Sequence, residues 1–179
     1  MDLNIVNNQE QFLAGKLEGY TLKGAENKFD DKGNTLPFPG CTIICNIPLD
    51  THLSNQIISF QKNIENFNPE KTYFYLPASS FHMTLFDCCN LNTKNSNFWP
   101  SDIDFDMDYN DIAIELNKRI QNYNFPEELN LKLKTFFGGY SIILEPFSEK
   151  DEKILRNCRD ELSSLLKIKF ENHQRYTFH

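Results

Sequence analysis

Apolar side chains recur every three to four residues in three stretches of the chain, a spacing typical of amphipathic helices. The stretches are residues 50–67, residues 109–123 and a segment that begins after Ser148. Ser148 is followed three residues later by Asp151, a pair that marks the start of a helix. We therefore predict three helices, each with one apolar face against the core.

Shorter apolar or alternating runs, several of them bounded by proline or glycine, predict strands. Residues 1–30 are expected to be helical or irregular, and residues 175–179 to begin a final strand. The Gly138-Gly139 pair predicts a tight turn that joins two strands as a hairpin. Helices and strands mixed in this way indicate an α+β fold, with antiparallel sheets backed by helices. The predicted strands are residues 41–47, 72–76, 81–87, 129–137 and 140–146.

Composition and charge narrow the class of protein. The 179 residues fit a single domain, and 40% of them are hydrophobic, which is enough for a real core. A net charge of −7 argues against a protein that coats nucleic acid, but it leaves room for a local pocket that binds one phosphate. The sequence shows neither a signal peptide nor an apolar run long enough to cross a bilayer.

The five cysteines are an odd number and include no Cys-x-x-Cys pair. This pattern indicates reduced intracellular thiols rather than a disulfide framework, so we expect a cytoplasmic protein. It also lacks the spacing of closed zinc sites. Cys41 and Cys45 are predicted to share a strand face, whereas the adjacent Cys88 and Cys89 are predicted to point to opposite faces.

Two of the four histidines lie in strand-like segments. His52, near a helix start, and His173, in a polar turn, are interpreted as surface residues. His82 and His179 each follow an aromatic residue in a strand-like run, and they lie about half a chain apart. Alternation along residues 81–87 predicts one face that carries His82, Thr84 and Phe86 and another that carries Phe81, Met83 and Leu85.

Two histidines and a nearby hydroxyl suit the chemistry of phosphate esters. One imidazole takes a proton from the nucleophile while the other gives a proton to the leaving oxygen. A threonine hydroxyl donates to a phosphate oxygen without adding a competing charge. Such a scheme requires no metal. A single His-x-Thr is common by chance, so the hypothesis depends on the second histidine in the other half of the chain.

Two segments, "LPASSFHMTLFD" (76–87) and "RYTFH" (175–179), resemble the signature strands of the two-histidine phosphoesterase superfamily. That group includes 2′,5′ RNA ligase-like proteins and cyclic nucleotide phosphodiesterases, and the similarity is closest to a poorly characterised branch of it. Two further segments, "PFPGCTIICNIP" (37–48) and "RNCRDEL" (156–162), fall in the expected order. The resemblance implies one domain over residues 1–179, with two intertwined, pseudo-symmetric lobes. Their antiparallel sheets would line a central cleft, with helices outside.

The resemblance also implies an activity. His82 and His179 would form the acid–base pair, Thr84 would grip the phosphate, and Phe86 and Thr177 would neighbour the site. The expected protein is a hydrolase without metal or cofactor, which acts on a cyclic phosphodiester or on a 2′,5′-linked nucleotide or RNA end. The alternatives are a catalytically impaired module that binds nucleotides or RNA ends, and a purely structural partner protein.

One feature departs from the family pattern. Members continue past the second histidine with another residue, then Thr or Ser, and then more strand, whereas this sequence stops at His179. We therefore expect a truncated chain whose second motif is cut off and whose activity is impaired. The last strand would have little pairing, so residues 175–179 are expected to fray.

Three other patterns in the sequence carry alternative interpretations. The acidic stretch at residues 101–111 has calcium-like spacing, but Tyr109 replaces the glycine that the turn needs, so an acidic helix start is favoured. A nucleophile at Cys88 or Cys89 has no further support. Three cations are interpreted as solvated charges at a helix end rather than as local positive charge for the cleft; they are Arg159, Lys167 and Lys169.

Overall fold

The protein is described by a computed structural model, which covers residues 28, 30, 34–66, 75–94, 98–137, 141–169 and 176–179. The prediction for residues 1–30 therefore lies almost wholly outside the described residues. Most of the predicted strand at 72–76 and His173 lie outside them too. No helix in the described part of the chain has the length and apolar character needed to cross a membrane.

All three predicted helices are present: α1 at His52–Asn66, α2 at Tyr109–Ile120 and α3 at Glu149–Leu166. The Ser148 side chain caps α3 by accepting a hydrogen bond from the backbone N–H of Asp151 at 3.2 Å, as its sequence signal predicts. The Asp108 carboxylate caps α2 in the same way through the N–H of Asn110, at 2.8 Å. The acidic stretch before α2 therefore starts a helix.

Within the described residues, four strands form two antiparallel pairs, and the predicted α+β class is confirmed. Strand β1 at Gly40–Asn46 pairs with β2 at His82–Asn90. Strand β3 at Leu131–Phe137 pairs with β4 at Ser141–Pro146, which confirms the predicted hairpin strands. Glycine is needed at position 40 because a Cβ there would lie 2.7 Å from the Cys89 carbonyl oxygen.

Strand β2 contains two β-bulges that interrupt its alternation. Thr84 pairs with Ile44 but Phe86 pairs with Ile43, so Leu85 is an extra residue on β2. A second shift inserts Cys88 before the Cys41–Cys89 pair. Each bulge turns two successive side chains inward, and Leu85, Phe86, Cys88 and Cys89 are all buried. The prediction that Cys88 and Cys89 point to opposite faces was therefore wrong.

The C-terminal segment 176–179 joins the two sheets. The Leu144 N–H donates to the Phe178 carbonyl oxygen at 2.8 Å, and the Thr84 N–H donates to the His179 carbonyl oxygen at 3.1 Å. Consecutive carbonyls of an extended chain point to opposite sides, so the segment lies between β4 and β2. Phe178 is only 2% exposed. The expected fraying does not hold for residues 176–179, because hydrogen bonds and burial anchor them from both sides.

The main core lies between the inner face of the sheets and the helices. Residues from β2, α2, β4, α3 and the C-terminal segment share one cluster, which includes Leu85, Leu116, Leu144, Leu162 and Phe178. Helix α1 contributes Phe60 and Ile64 to a smaller cluster, against which Leu133 and Ile142 pack. The helices therefore cover one face of the sheets, and the opposite face is left exposed to solvent.

Candidate functional site

His82 is exposed at the start of β2, and its imidazole is held in one orientation. Its Nδ1 lies 2.8 Å from the Ser80 carbonyl oxygen. Because a carbonyl oxygen only accepts, Nδ1 carries the proton and Nε2 is the acceptor of the neutral ring. The 3₁₀ turn Ala78–Ser80 fixes that carbonyl, since the Ser80 N–H bonds to the Pro77 oxygen at 2.9 Å.

His179 repeats this arrangement in the other half of the sequence. Its Nδ1 lies 3.0 Å from the Thr177 carbonyl oxygen, again two residues upstream. The same argument leaves its Nε2 as the acceptor of the neutral ring. Within the part of the chain that the structure describes, neither Nε2 atom has a hydrogen-bond partner. Both rings therefore present equivalent nitrogen atoms to solvent.

The fold brings strand β2, which carries His82, beside the C-terminal segment that carries His179. The hydrogen bond from Thr84 to His179 sets the β2 backbone beside the C-terminal segment, at a strand spacing of about 4.8 Å. His82 lies two residues along the strand from Thr84, or roughly 7 Å away. Met83 and Phe178 are buried on the core side, while His82 and His179 are exposed. The two imidazoles thus belong to one open face.

Thr84 is half-buried, lies two residues after His82 on β2 and is bonded through its backbone N–H to His179. Its register partner on β1 is Ile44, which is 44% exposed, and the partner of His82 is Asn46. Among the described residues, no hydrogen-bond partner occupies the Thr84 hydroxyl. Thr177 is also exposed, two residues before His179, as expected for a neighbour on the same strand face.

Phe86 does not belong to this open face. The bulge at Leu85 shifts it to the inner side, where it is fully buried opposite Ile43. Asp87 takes its place in the outward row, opposite Thr42. The prediction that Phe86 shares a face with His82 and Thr84 was therefore wrong, because alternation of period two fails at an unrecognised bulge.

Arg159 lies beneath the site and is fully buried, so its interpretation as a solvated helix-end charge was wrong. Its guanidinium Nη1 donates to the Leu85 carbonyl oxygen in the bulge of β2. The guanidinium carbon stands 3.6 Å from the centre of the Tyr176 ring. From α3, this one side chain therefore contacts both β2, which carries His82, and the C-terminal segment, which carries His179. Lys167 and Lys169 are exposed, as expected.

Burial shifts the pKa values of both Arg159 and Tyr176. It lowers the pKa of the Arg159 guanidinium, a change that nearby Tyr176 and Asp87 partly oppose. It also raises the pKa of Tyr176 to about 12, with the negative charge of Asp87 as the second cause. The neutral phenol and the flat guanidinium can therefore stack closely at neutral pH.

A second helix arginine fastens the C-terminal segment. The Arg156 Nη1 donates to the Tyr176 carbonyl oxygen at 2.8 Å, and its guanidinium carbon lies 4.7 Å from the centre of the Phe178 ring. The Tyr176 and His179 rings are 5.9 Å apart between centroids. Two neighbouring turns of α3 therefore hold the segment that presents His179.

A cavity of about 250 Å³ lies at the β1 side of the sheet. Its lining is apolar and includes neither histidine; the lining residues are Ile43, Ile44, Cys45, Leu85, Phe125, Pro126 and Leu129. It approaches the open face only through Ile44, the register partner of Thr84. The cavity therefore adjoins the candidate site without containing its polar groups.

Three residues of the open face were missed by the sequence interpretation: Ile44, Asn46 and Asp87. Their positions follow from the β1–β2 register and from the bulges, and neither feature has a local sequence signal here. Asn46 is the last residue of β1, directly before Ile47 and Pro48 in the sequence. Only knowledge of its partner would have placed it opposite His82.

Comparison with known proteins gives a family and a fold. The family model "2H-phosphodiest: Domain of unknown function (DUF1868)" matches residues 28–138, which include His82 and Thr84. No curated protein matches the chain. A crystal structure of the conserved protein of unknown function ATU0111 from Agrobacterium tumefaciens strain C58 has a TM-score of 0.80. The structural match covers 96% of this chain and 73% of the Agrobacterium chain, at 18% sequence identity. At this identity the similarity shows a shared fold and nothing more.

The family match spans more than half of the chain, and its name indicates phosphodiesterase-type activity. The matched region carries the first histidine, and the C-terminal segment with the second histidine is hydrogen-bonded to the same strand. The chain therefore belongs to the 2H phosphodiesterase superfamily, in the family of unknown function that its residues 28–138 match.

Proposed function

We propose that this protein is a metal-independent phosphoesterase that opens a cyclic phosphodiester or cleaves a 2′,5′-linked nucleotide or RNA end. His82 and His179 are its acid–base pair. The observation that carries the proposal is the matched environment of the two rings. Each Nδ1 is bonded to the carbonyl oxygen two residues upstream, at 2.8 Å and 3.0 Å, on segments that the Thr84–His179 hydrogen bond joins.

This arrangement suits the hydrolysis of a cyclic phosphate. The neutral imidazole takes a proton from water at Nε2, and the water oxygen forms a new bond to phosphorus. The protonated imidazole gives its Nε2 proton to the ribose oxygen as the bond between that oxygen and phosphorus breaks. The product is a phosphomonoester with a free hydroxyl. The fixed Nδ1–H of each ring keeps Nε2 aimed at the substrate throughout.

Thr84 has the position and chemistry for holding the phosphate. Thr84 follows His82 by two residues on β2 and is bonded to the backbone of His179. Its hydroxyl donates to a non-bridging oxygen without competing for the proton. The two ring environments are so alike that they assign neither histidine to the acid role. The roles exchange when the reaction runs in reverse, which is expected of a pair with equivalent hydrogen bonds.

The test is hydrolysis of 2′,3′-cyclic AMP and of a 2′,5′-linked diadenosine, in buffer with excess EDTA. His82→Ala and His179→Ala should each lower kcat by at least about 100-fold, the usual contribution of general acid–base catalysis. His52→Ala is the matched control, because His52 is an exposed histidine at the start of α1. That variant should retain full activity.

Several outcomes separate the alternatives. Full turnover in His82→Ala, or turnover that disappears with EDTA, would overturn the mechanism. Binding of the nucleotides without turnover by the unaltered chain would identify a binding module in place of an enzyme. Neither binding nor turnover would favour a structural partner protein.

A further inference from the structure

We propose that Cys41, Cys88 and Cys89 form a peroxide-reactive thiol centre in which Cys41 is oxidised first and Cys89 then closes a cross-strand disulfide with it. The centre lies at the far end of the β1–β2 pair from His82, so it is independent of the phosphoesterase proposal. The three cysteines come from two strands and converge only because of the fold.

The strand register brings the thiols together. Cys41 and Cys89 are direct partners across the antiparallel pair. Such partners have Cα atoms about 4.5–5.5 Å apart, which lies within the range that a disulfide spans. The second bulge of β2 turns Cys88 inward beside Cys89, and its sulfur lies 3.8 Å from the Phe86 carbonyl oxygen. Cys89 is therefore the better placed partner for Cys41.

The different solvent exposure of Cys41 and Cys89 indicates which of them reacts first with peroxide. Cys41 is half-buried, so a small hydroperoxide reaches its sulfur, whereas Cys89 is fully buried. A buried thiol reacts with a neighbour inside the protein far more readily than with a reagent in solution. Cys41 is thus the first target, and Cys89 resolves the oxidised product.

The neighbouring thiols favour Cys41 as the nucleophile. The nearby Cys88 and Cys89 thiol groups lower the pKa of Cys41 well below its ordinary value. The charge on Cys41 raises the pKa of both thiols, so they remain protonated. Cys45 lies on the same strand face and is also half-buried, but burial raises its pKa. The sequence therefore supplies a matched cysteine without the activating neighbours.

The chemistry is a two-electron oxidation by a hydroperoxide. The Cys41 thiolate attacks the peroxide oxygen, the O–O bond breaks, and Cys41 becomes a sulfenic acid as hydroxide leaves. The Cys89 sulfur then attacks the Cys41 sulfur. The Cys89 proton leaves with the sulfenic hydroxyl as water, and an S–S bond forms. In total, two thiols and one hydrogen peroxide give one disulfide and two waters.

The experiment exposes the reduced full chain to hydrogen peroxide at pH 7, blocks free thiols with N-ethylmaleimide and digests the protein with trypsin. Cys41 and Cys45 fall in the peptide 33–62, while Cys88 and Cys89 fall in the peptide 72–94. Mass spectrometry should find these two peptides joined, with the loss of two hydrogens. Cys41 should react about 30-fold faster than Cys45, because an ordinary cysteine is only a few per cent thiolate at pH 7.

Single substitutions test the role of each cysteine in the cross-link. Cys41→Ser should abolish the cross-link, and Cys45→Ser, which changes a cysteine outside the centre, should retain it. Cys89→Ser should leave Cys41 as a sulfenic acid that dimedone traps, a readout that does not depend on the disulfide. A cross-link that survives Cys41→Ser would overturn the proposal. So would a cross-link of full yield in Cys89→Ser, or a bond between Cys88 and Cys89 in the unaltered chain.

Discussion

The backbone N–H of Thr84 donates to the carbonyl oxygen of His179 at 3.1 Å, although these residues lie in opposite halves of the sequence. This bond places the strand with the first histidine directly beside the segment with the second. On its other side, the segment is bonded to β4 through Phe178 and Leu144. The same four C-terminal residues therefore complete both the sheet and the candidate site.

Thr84→Val removes the hydroxyl while keeping the shape of the side chain. If Thr84 donates to the phosphate, kcat/KM should fall by about 10- to 100-fold, because a hydrogen bond to a charged group is worth about 1.5–3 kcal/mol. Thr42→Val is the control. Thr42 is an exposed threonine on the same face of the β1–β2 pair, but its partner is Asp87, three residues along β2 from Thr84. Steady-state hydrolysis of 2′,3′-cyclic AMP measures both. An unchanged kcat/KM in Thr84→Val would remove Thr84 from the site.

Phe178→Ala tests how firmly the C-terminal segment is held. Phe178 is 2% exposed within the main core, so its truncation should cost about 3–5 kcal/mol of unfolding free energy. Thr177→Ala changes an exposed neighbour and should alter stability by less than about 0.5 kcal/mol. Urea unfolding followed by circular dichroism measures the difference. Equal stability of the two variants would mean that the segment contributes little to the fold.

Arg159→Lys keeps a positive charge but removes the flat guanidinium. A lysine ammonium cannot both reach the Leu85 carbonyl oxygen and stack on the Tyr176 ring. The variant should lose about 1–3 kcal/mol of unfolding free energy. Its kcat should fall more than its KM rises, since the segments that carry His82 and His179 lose a shared support. Asn157→Ala, at an exposed position of the same helix, should leave both quantities unchanged.

Tyr176 should make stability depend on pH in the alkaline range. Its pKa is raised to about 12 in the folded chain, mainly by burial. Above pH 10 the unfolded chain loses the phenolic proton while the folded chain keeps it, so stability falls between about pH 10 and pH 12. The fall attributable to this residue is about 2 kcal/mol. Urea midpoints at pH 8 and pH 11.5 should therefore differ less in Tyr176→Phe than in the unaltered protein. The same decline in both would contradict the assignment.

Local patterns were sufficient to locate the three helices and four strands of the described residues. The predicted final strand is an exception, because residues 176–179 form no regular strand. Helix α3 was predicted because its apolar spacing and the Ser148–Asp151 start signal agree, and the observed cap uses those two residues. Strand β3 was predicted from its alternation, and β4 was predicted because the Gly138-Gly139 pair indicates a hairpin. Such features depend on neighbours within a few residues, so a single sequence contains the information for them.

Those local patterns could not predict how β2 pairs with β1. Strict alternation put Phe86 outward and separated Cys88 from Cys89, whereas two bulges send all three inward. A bulge depends on how well two strands fit each other and the core, and β2 alone carries no sign of it. Arg159 was misplaced for a related reason. Its charge suggested solvent, but two strands and an aromatic ring surround it.

The sequence by itself determined the helices, most of the strands and the α+β class, and it named His82, Thr84 and His179 as candidates for phosphate-ester chemistry. The elements follow from residue type and spacing along the chain, and the candidates follow from residue type and a family resemblance. The tertiary structure alone decided that β2 and the C-terminal segment are neighbours, which way each ring nitrogen faces, and that three cysteines meet. These depend on hydrogen bonds and packing between residues far apart in sequence, whose energies no local pattern records.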